Sequence, residues 1–326
     1  MSYQTVSNVM NGRVKEVSDE TRRRVEAAMR ELGYHPNAAA RGLRSLRTRT
    51  FAFLVVDEAE SFMADPLTAM VLSGVSDVAR DHGYETLLRA ERPTSVRSDL
   101  LRPVQDGRVD GVLLLLSGPA TRRQAYVDEL RQFSVPFVVF DELLHNEYDL
   151  VVRTDERAAA RELTRLLIDA GHRRIGFVAA AMPWPVIEQR YLGFQDAFVE
   201  HALQHDVALD RFEGNWRPEG GQVMTASLMR GPTPPSAIVC ASDLLALGAL
   251  TAARELGLAV PEDVAVCGFD DFEFSKHTVP ALTTVRVPAY RMGQIAAQML
   301  IDSLAGRAVE PRQVVLASEV VRRQSA

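Results

Sequence analysis

Cysteine is nearly absent from this 326-residue sequence: Cys240 and Cys267 are the only two, each in an apolar, strand-like run (AIVC, VAVCGF). That excludes a disulfide framework and reads as two buried free thiols rather than a metal site. Long apolar runs are missing as well. Val112–Leu116 is five residues, against the roughly 20 that span a bilayer. The opening MSYQTVSNVMNG has no basic start followed by an apolar stretch, so no secretory signal is read and the expected location is the cytoplasm, with no membrane partner. Also lacking are a phosphate-cradling GxGxxG or GxxxxGK(S/T), a zinc-binding HExxH and a GxSxG elbow. Asp270 and Asp271 are adjacent, so their carboxylates should point apart and form no acid/base pair. These absences argue against an enzyme and call for no cofactor and no metal.

Basic charge is short overall, with a net −6, but it is unevenly placed. Residues 1–50 carry ten Lys/Arg against five acidic residues, which is +5 and leaves −11 on the rest. A basic head on an acidic body fits a polyanion-binding arm attached to a globular domain. A merely solvated helix face, Arg22-Arg23-Arg24, would look the same. Length and an ordinary composition, 47% hydrophobic and 25% charged, suit two or three domains.

The head has readable helices. Ser2 can cap the first, Val6, Val9 and Met10 make its apolar stripe, and Asn11-Gly12 can end it. Its other face presents Tyr3, Gln4, Ser7 and Asn8, which hydrogen-bond without charge, with Thr5 beside them. Gln and Asn can pair with an adenine edge, and Ser and Thr reach phosphates. A second helix runs from Ser18-Asp19-Glu20-Thr21 to Leu32-Gly33, with Val25, Ala28, Met29 and Leu32 as its inner stripe. Asn37 caps a third, about 37–46, too short and too weakened by Gly42 to stand alone in water. It makes sense if it forms on DNA, with Leu43 wedged into a minor-groove step.

SYQTVSNVMNG and VSDETRRRVEAAMRELGYHPNAAARGLR resemble the DNA-binding head of the lactose-repressor (LacI/GalR) family, densely and almost without gaps. The resemblance implies that Ser2, Tyr3, Gln4, Thr5, Ser7 and Asn8 lie on or cap a recognition helix, with Asn37 and Leu43 in a hinge helix. Many relatives carry Arg where this chain has Asn8, which shifts the expected base from guanine to adenine. The resemblance also implies a preceding helix of the form DVAxxAGVS. Here Met1 stands before the Ser2 cap, where relatives usually have Val. Two explanations stay open: a GTG start codon read as Met, or a truncated head that binds DNA poorly or not at all.

From Phe51 onward, apolar runs alternate with amphipathic stretches. The runs are 51–57, 84–90, 110–116, 136–142, 173–180, 236–242 and 263–271; helices are expected at 66–82, 121–132, 157–170, 189–203 and 244–256. This is an α/β pattern of parallel sheets flanked by helices. Ligand sites in such sheets lie at the carboxyl ends of strands, which directs attention to Asp57, Ser117, Asp141, Ser242-Asp243 and Asp270-Asp271.

VDGVLLLL, LIDAGHRRIGFVAA, QRYLGFQDAF and SDLLALGALTAARELGLAVPEDVAVCGFDD are similar to the same family's effector domain, so the resemblance covers essentially the whole chain. It implies a two-lobed, periplasmic-binding-protein-like fold behind a small, truncated helix-turn-helix head (1–49). The effector domain would be 50–326, with an N-lobe of about 50–155 and 286–314 and a C-lobe of about 156–285 and 315–326. Crossovers are expected near 154–157, 284–289 and 313–317. By position it carries over Phe62, Asp141, Arg190, Trp216, Asp243 and Asp270 as effector-binding residues. Acids and Arg would bond vicinal hydroxyls while Trp stacks on a sugar face. Plainer roles stay open: helix capping for Asp243 and Asp271, packing for Trp216, a structural ion pair for Arg190. The implied protein is a homodimeric, sugar-responsive repressor on palindromic double-stranded DNA. The alternatives are a ligand-binding protein that has lost DNA binding and a transporter's solute-binding protein.

Overall fold

The computed structural model describes residues 3–10, 17–32, 47–57, 65–92, 99–143, 146–147, 149–181 and 184–326. The chain divides into two compact units, Met1–Arg49 and Thr50–Ala326. In the first, α1 is Tyr3–Met10 and α2 is Asp19–Glu31. Ser18 has extended backbone and its Oγ accepts the Thr21 N–H at 3.3 Å, while Asp19 and Glu20 occupy the positive first turn. Val25 is buried, and Val6 and Val9 are half-buried. Leu32 departs from the expected stripe: it is the C-cap, one residue past the helix, and is exposed. Ser2, the Asn11-Gly12 stop and the hinge helix with Asn37 and Leu43 lie outside the described residues, as does Phe62 in the second unit.

In the second unit the strands are β1 (Thr50–Val56), β2 (Glu85–Glu91), β3 (Gly111–Leu116), β4 (Phe137–Phe140), β5 (Leu150–Thr154) and β6 (Ile175–Ala179). They continue with β7 (Arg211–Phe212), β8 (Ala237–Cys240), β9 (Ala265–Cys267), β10 (Thr284–Arg286), β11 (Gln313–Leu316) and β12 (Glu319–Val321). One parallel sheet has the order β11-β5-β4-β3-β1-β2 and a second β7-β6-β8-β9; β10 and β12 pair antiparallel. The helices are α3 (Pro66–Asp81), α4 (Arg102–Gln105), α5 (Ala120–Leu130), α6 (Glu156–Asp169), α7 (Pro185–Glu200), α8 (Pro218–Met229), α9 (Asp243–Glu255) and α10 (Ala289–Leu304). None of the described helices is long and apolar enough to cross a membrane.

Strand β1 shows why the sheet is covered on both faces. Phe51, Phe53 and Val55 join a core with Val71 and Val75 of α3 and Met292 and Leu300 of α10. The alternate residues Ala52, Leu54 and Val56 pack on the other face with Val104, Tyr126 and Val127. Period two in a doubly apolar strand puts half its side chains into each layer.

The chain passes between the two sheets three times. β5 belongs to the first sheet, and α6, which follows Asp155, packs on α7 beside the second. β10 is bridged to the second sheet through Cys267–Thr283 and Asp270–Arg286, whereas α10 packs on α3 in the first lobe. β11 pairs with β5, and β12 with β10. The crossovers therefore carry short strands that apolar periodicity did not mark, β5 and β10–β12 among them. The 263–271 run is strand only over 265–267, because Asp270 and Asp271 take positive φ, 107° and 55°.

Helices α3 and α10 touch backbone to backbone. A Cβ on Gly293 would sit 2.0 Å from the Val71 carbonyl oxygen, and one on Gly74 would sit 2.1 Å from that of Tyr290. Gly293→Ala is therefore expected to force the helices apart and cost about 1–3 kcal/mol. Urea unfolding should show a lower midpoint with an unchanged slope.

Candidate ligand cleft

In each sheet the order reverses next to the first strand of the lobe: between β1 and β3, and between β6 and β8. Such switch points open a crevice at the carboxyl strand ends. A cavity of about 210 Å³ lies there, lined by Asp57 after β1, Ser242 after β8, Asp270 after β9, and Trp184, Arg190 and Trp216 from the second lobe. Both lobes thus contribute walls.

Arg190 organises the second lobe's wall. Its Nε donates to Glu156 Oε2 at 2.6 Å, Nη1 to the Ala241 carbonyl at 2.5 Å, and Nη2 to Asp270 Oδ1 at 3.0 Å. The guanidinium lies 4.2 Å from the centroid of the Phe269 ring. Burial alone would lower its pKa, but the Glu156 and Asp270 charges overcome that and hold it up. Glu156 is itself buried and accepts from Thr154 Oγ1. Burial pushes the Asp270 carboxyl well up, against the pull of Arg190. Asp270 N–H donates to the Val285 carbonyl at 2.8 Å, which helps to hold its positive-φ backbone.

Asp65 starts α3 as N-cap, its Oδ1 accepting Leu67 N–H at 3.0 Å, and lines the first lobe's wall. Burial raises its pKa to about 6, with Asp57 adding to the rise and Leu67 and Arg190 opposing it. Trp184 precedes α7 and Trp216 precedes α8, both half-buried, each against a helix that opens with Pro. The Trp184 indole N–H is buried without a hydrogen-bond partner among the described residues. A donor, several acceptors and two indole rings converge, which suits a ligand with hydroxyl groups and an apolar face.

Of the residues read from sequence, the structure brings Arg190, Trp216 and Asp270 together here. Asp243 stands elsewhere: it is fully buried, accepting from Phe272 N–H at 2.9 Å, Thr284 Oγ1 at 2.6 Å and Ser275 Oγ. At the start of α9 its carboxylate turns back onto that loop, while Ser242 Oγ caps the helix. Asp141 also lies outside the cavity lining; it ends β4 at φ 54°, and Thr154 N–H donates to it at 3.4 Å. Sequence reasoning reached Asp57 and Ser242 only as strand ends, and it missed Asp65 and Trp184. The Asp65-Pro66 helix start was a usable signal; Trp184 carries no periodic one. In the head, Thr5 and Asn8 of α1 are half-buried, and of Tyr3, Gln4 and Ser7 the helical backbone is described. Among the described residues no group of three His, Cys, Asp or Glu is placed to hold a metal ion.

Residues 1–37 match the model described as bacterial regulatory proteins, lacI family, and residues 164–326 that of a periplasmic binding protein-like domain. Over 323 residues, 98% of this chain and 94% of the relative, it is 33% identical to the HTH-type transcriptional regulator CelR of Thermobifida fusca. The chain belongs to the LacI family. The HTH-type transcriptional repressor CytR of Escherichia coli K12 is 31% identical over 326 residues, all of this chain and 93% of CytR. A solved CelR–cellobiose complex matches all of this LacI-family chain and 96% of its own, at 32% identity and TM-score 0.76. The lac repressor dimer bound to operator and the anti-inducer ONPF matches all of it and 95% of its own, at 25% identity and TM-score 0.85. This LacI-family chain is a ligand-responsive, DNA-binding transcriptional regulator.

Burial holds the Asp141 carboxyl up to about 7, with Glu156 adding to the rise and Thr154 N–H opposing it. Below about pH 4 it is protonated folded and unfolded alike; between about 4 and 7 only the unfolded chain loses the proton, so stability falls as pH rises. Asp65 and Asp243, both near 6, act in the same direction. Asp141→Asn keeps an acceptor and tolerates the left-handed backbone. Its stability between pH 4 and 8 should fall less than the wild type's, by on the order of 2 kcal/mol, in thermal melts across that range.

Proposed function

We propose that this regulator is a cytoplasmic, homodimeric repressor of carbohydrate-metabolism genes, without enzymatic activity, whose effector is a sugar or sugar derivative. The head, 1–49, reads half-sites of a palindromic operator, and the two-lobed domain, 50–326, binds the effector. Ser2, Tyr3, Gln4, Thr5, Ser7 and Asn8 belong to the reading helix, and Asn37 and Leu43 to a hinge helix formed on DNA. The observation that carries the effector reading is the cavity between the lobes, where Arg190, Asp270, Trp184 and Trp216 converge. CelR, a relative over nearly the full length, is solved with cellobiose. The effector contacts proposed are Arg190, Trp216 and Asp270, with Asp57, Asp65 and Trp184 added, and with Phe62 from the segment before α3. Asp141 and Asp243 position the surrounding loops.

A ligand that binds two lobe arrangements with different affinity shifts the population between them, and it must change operator affinity by the same coupling energy. Thermal-shift screening of the full chain against sugars should find a binder, and Trp216→Ala should abolish its shift when read against that variant's own unliganded melt, since Trp216 also packs on the core. Arg190 is a poor probe on its own, since removing it leaves Glu156 and Asp270 buried and unpaired, at about 3–5 kcal/mol. Gel shifts on a palindromic operator should show salt-dependent binding that the same sugar alters. Asn8→Arg should move the preferred base at one symmetric position from adenine to guanine. Absence of operator binding by the chain as given would favour the reading of a ligand-binding relative without DNA activity.

A further inference from the structure

We propose that the cleft takes an uncharged, hydroxyl-rich effector and rejects phosphorylated or carboxylated ones; this deepens the sugar-effector reading and rests on it. Arg190 is the one buried base among the described residues lining the cavity. Its charge is already matched by Glu156 behind it and Asp270 beside it, at 2.6 and 3.0 Å, and a third N–H is held by the Ala241 carbonyl. The other lining base, Arg217, is exposed to solvent, where a charge acts weakly. Against these two stand Asp57, Asp65 and Asp270 in the walls, with Glu156 completing the buried set. Among the described lining residues, acidic groups therefore outnumber basic ones before anything binds. The rise of Asp65 to about 6 comes chiefly from its burial, with Asp57 adding to it and Leu67 N–H and Arg190 opposing.

A phosphate monoester would add about −1.5 to −2 charges at pH 7. Placed among these carboxylates, it would meet no unmatched buried cation among the described lining residues. Hydroxyl groups do the opposite: they donate to the carboxylates in charge-assisted bonds. The Trp184 N–H, without a hydrogen-bond partner among the described residues, remains as a donor to a ring or glycosidic oxygen.

The test is titration calorimetry of the full chain with matched sets: glucose and glucose 6-phosphate, galactose and galacturonate, cellobiose and cellobionate. Inorganic phosphate, compared with chloride at equal ionic strength, serves as a probe independent of any sugar. In each set that binds, the uncharged member should bind at least about a hundredfold more tightly, and phosphate should give no saturable response. An anionic member equal to or tighter than its parent, or saturable phosphate binding, overturns the proposal. Silence of every sugar would sink the sugar reading, while the phosphate arm still decides the charge inference. Asp65→Asn, which keeps the helix cap, should shrink the discrimination about tenfold. Unchanged discrimination in both Asp65→Asn and Asp57→Asn would overturn its electrostatic cause.

Discussion

Arg190 is a full positive charge taken out of water, and most of what is distinctive in the second lobe follows from satisfying it. Desolvating such a group costs several kcal/mol unless good geometry and further hydrogen bonds compensate. The compensation comes from four groups in three places: Glu156 at the start of α6, the Ala241 carbonyl after β8, and the consecutive Phe269 ring and Asp270 carboxylate. Each must be in position for the others to be of use. The strand ends that frame the cleft are thereby locked to one another before any ligand arrives. That is the preorganisation a binding site requires.

The turn carrying Asp270 serves two neighbourhoods at once. Asp270 faces Arg190, and the next residue, Asp271, accepts from Arg286 at 2.7 Å and from Arg323 at 2.5 Å. Arg286 ends the strand that leads into one crossover, and Arg323 follows the strand that completes another. At the remaining crossover, Thr154 reaches Glu156, which reaches Arg190. Residues of the ligand wall and residues of the connections between lobes are therefore hydrogen-bonded neighbours. Positive φ at 270 and 271 is the local strain that lets adjacent carboxylates point to different sides.

Close helix packing gives both lobes their stiffness. Gly74 and Gly293 let α3 and α10 meet, Gly193 admits the Arg157 carbonyl, and Gly221 and Gly248 do the same for α8 and α9. These glycines explain why α8 was not read from sequence: PEGGQVMTASLM looks like a weak helix until the neighbour that needs its glycines is in place. Short β10 and β12 were equally illegible, three residues each, supported by each other rather than by their own pattern.

By itself the sequence determined the layer architecture and the family. Doubly apolar runs such as TFAFLVV, caps such as Ser18, and the dense match of the head are local signals, carried by residues close together in the chain. The family resemblance also put forward Arg190, Trp216 and Asp270 by position, three residues that the structure brings to one cavity. Only the tertiary structure decided that Asp243 turns inward to Ser275 and Thr284 while Asp57, Asp65 and Trp184 line the cavity. The physical reason is that a side chain's role depends on what faces it. Here the groups facing Arg190 come from 34, 51 and 80 residues away, a separation over which periodicity and capping carry no information.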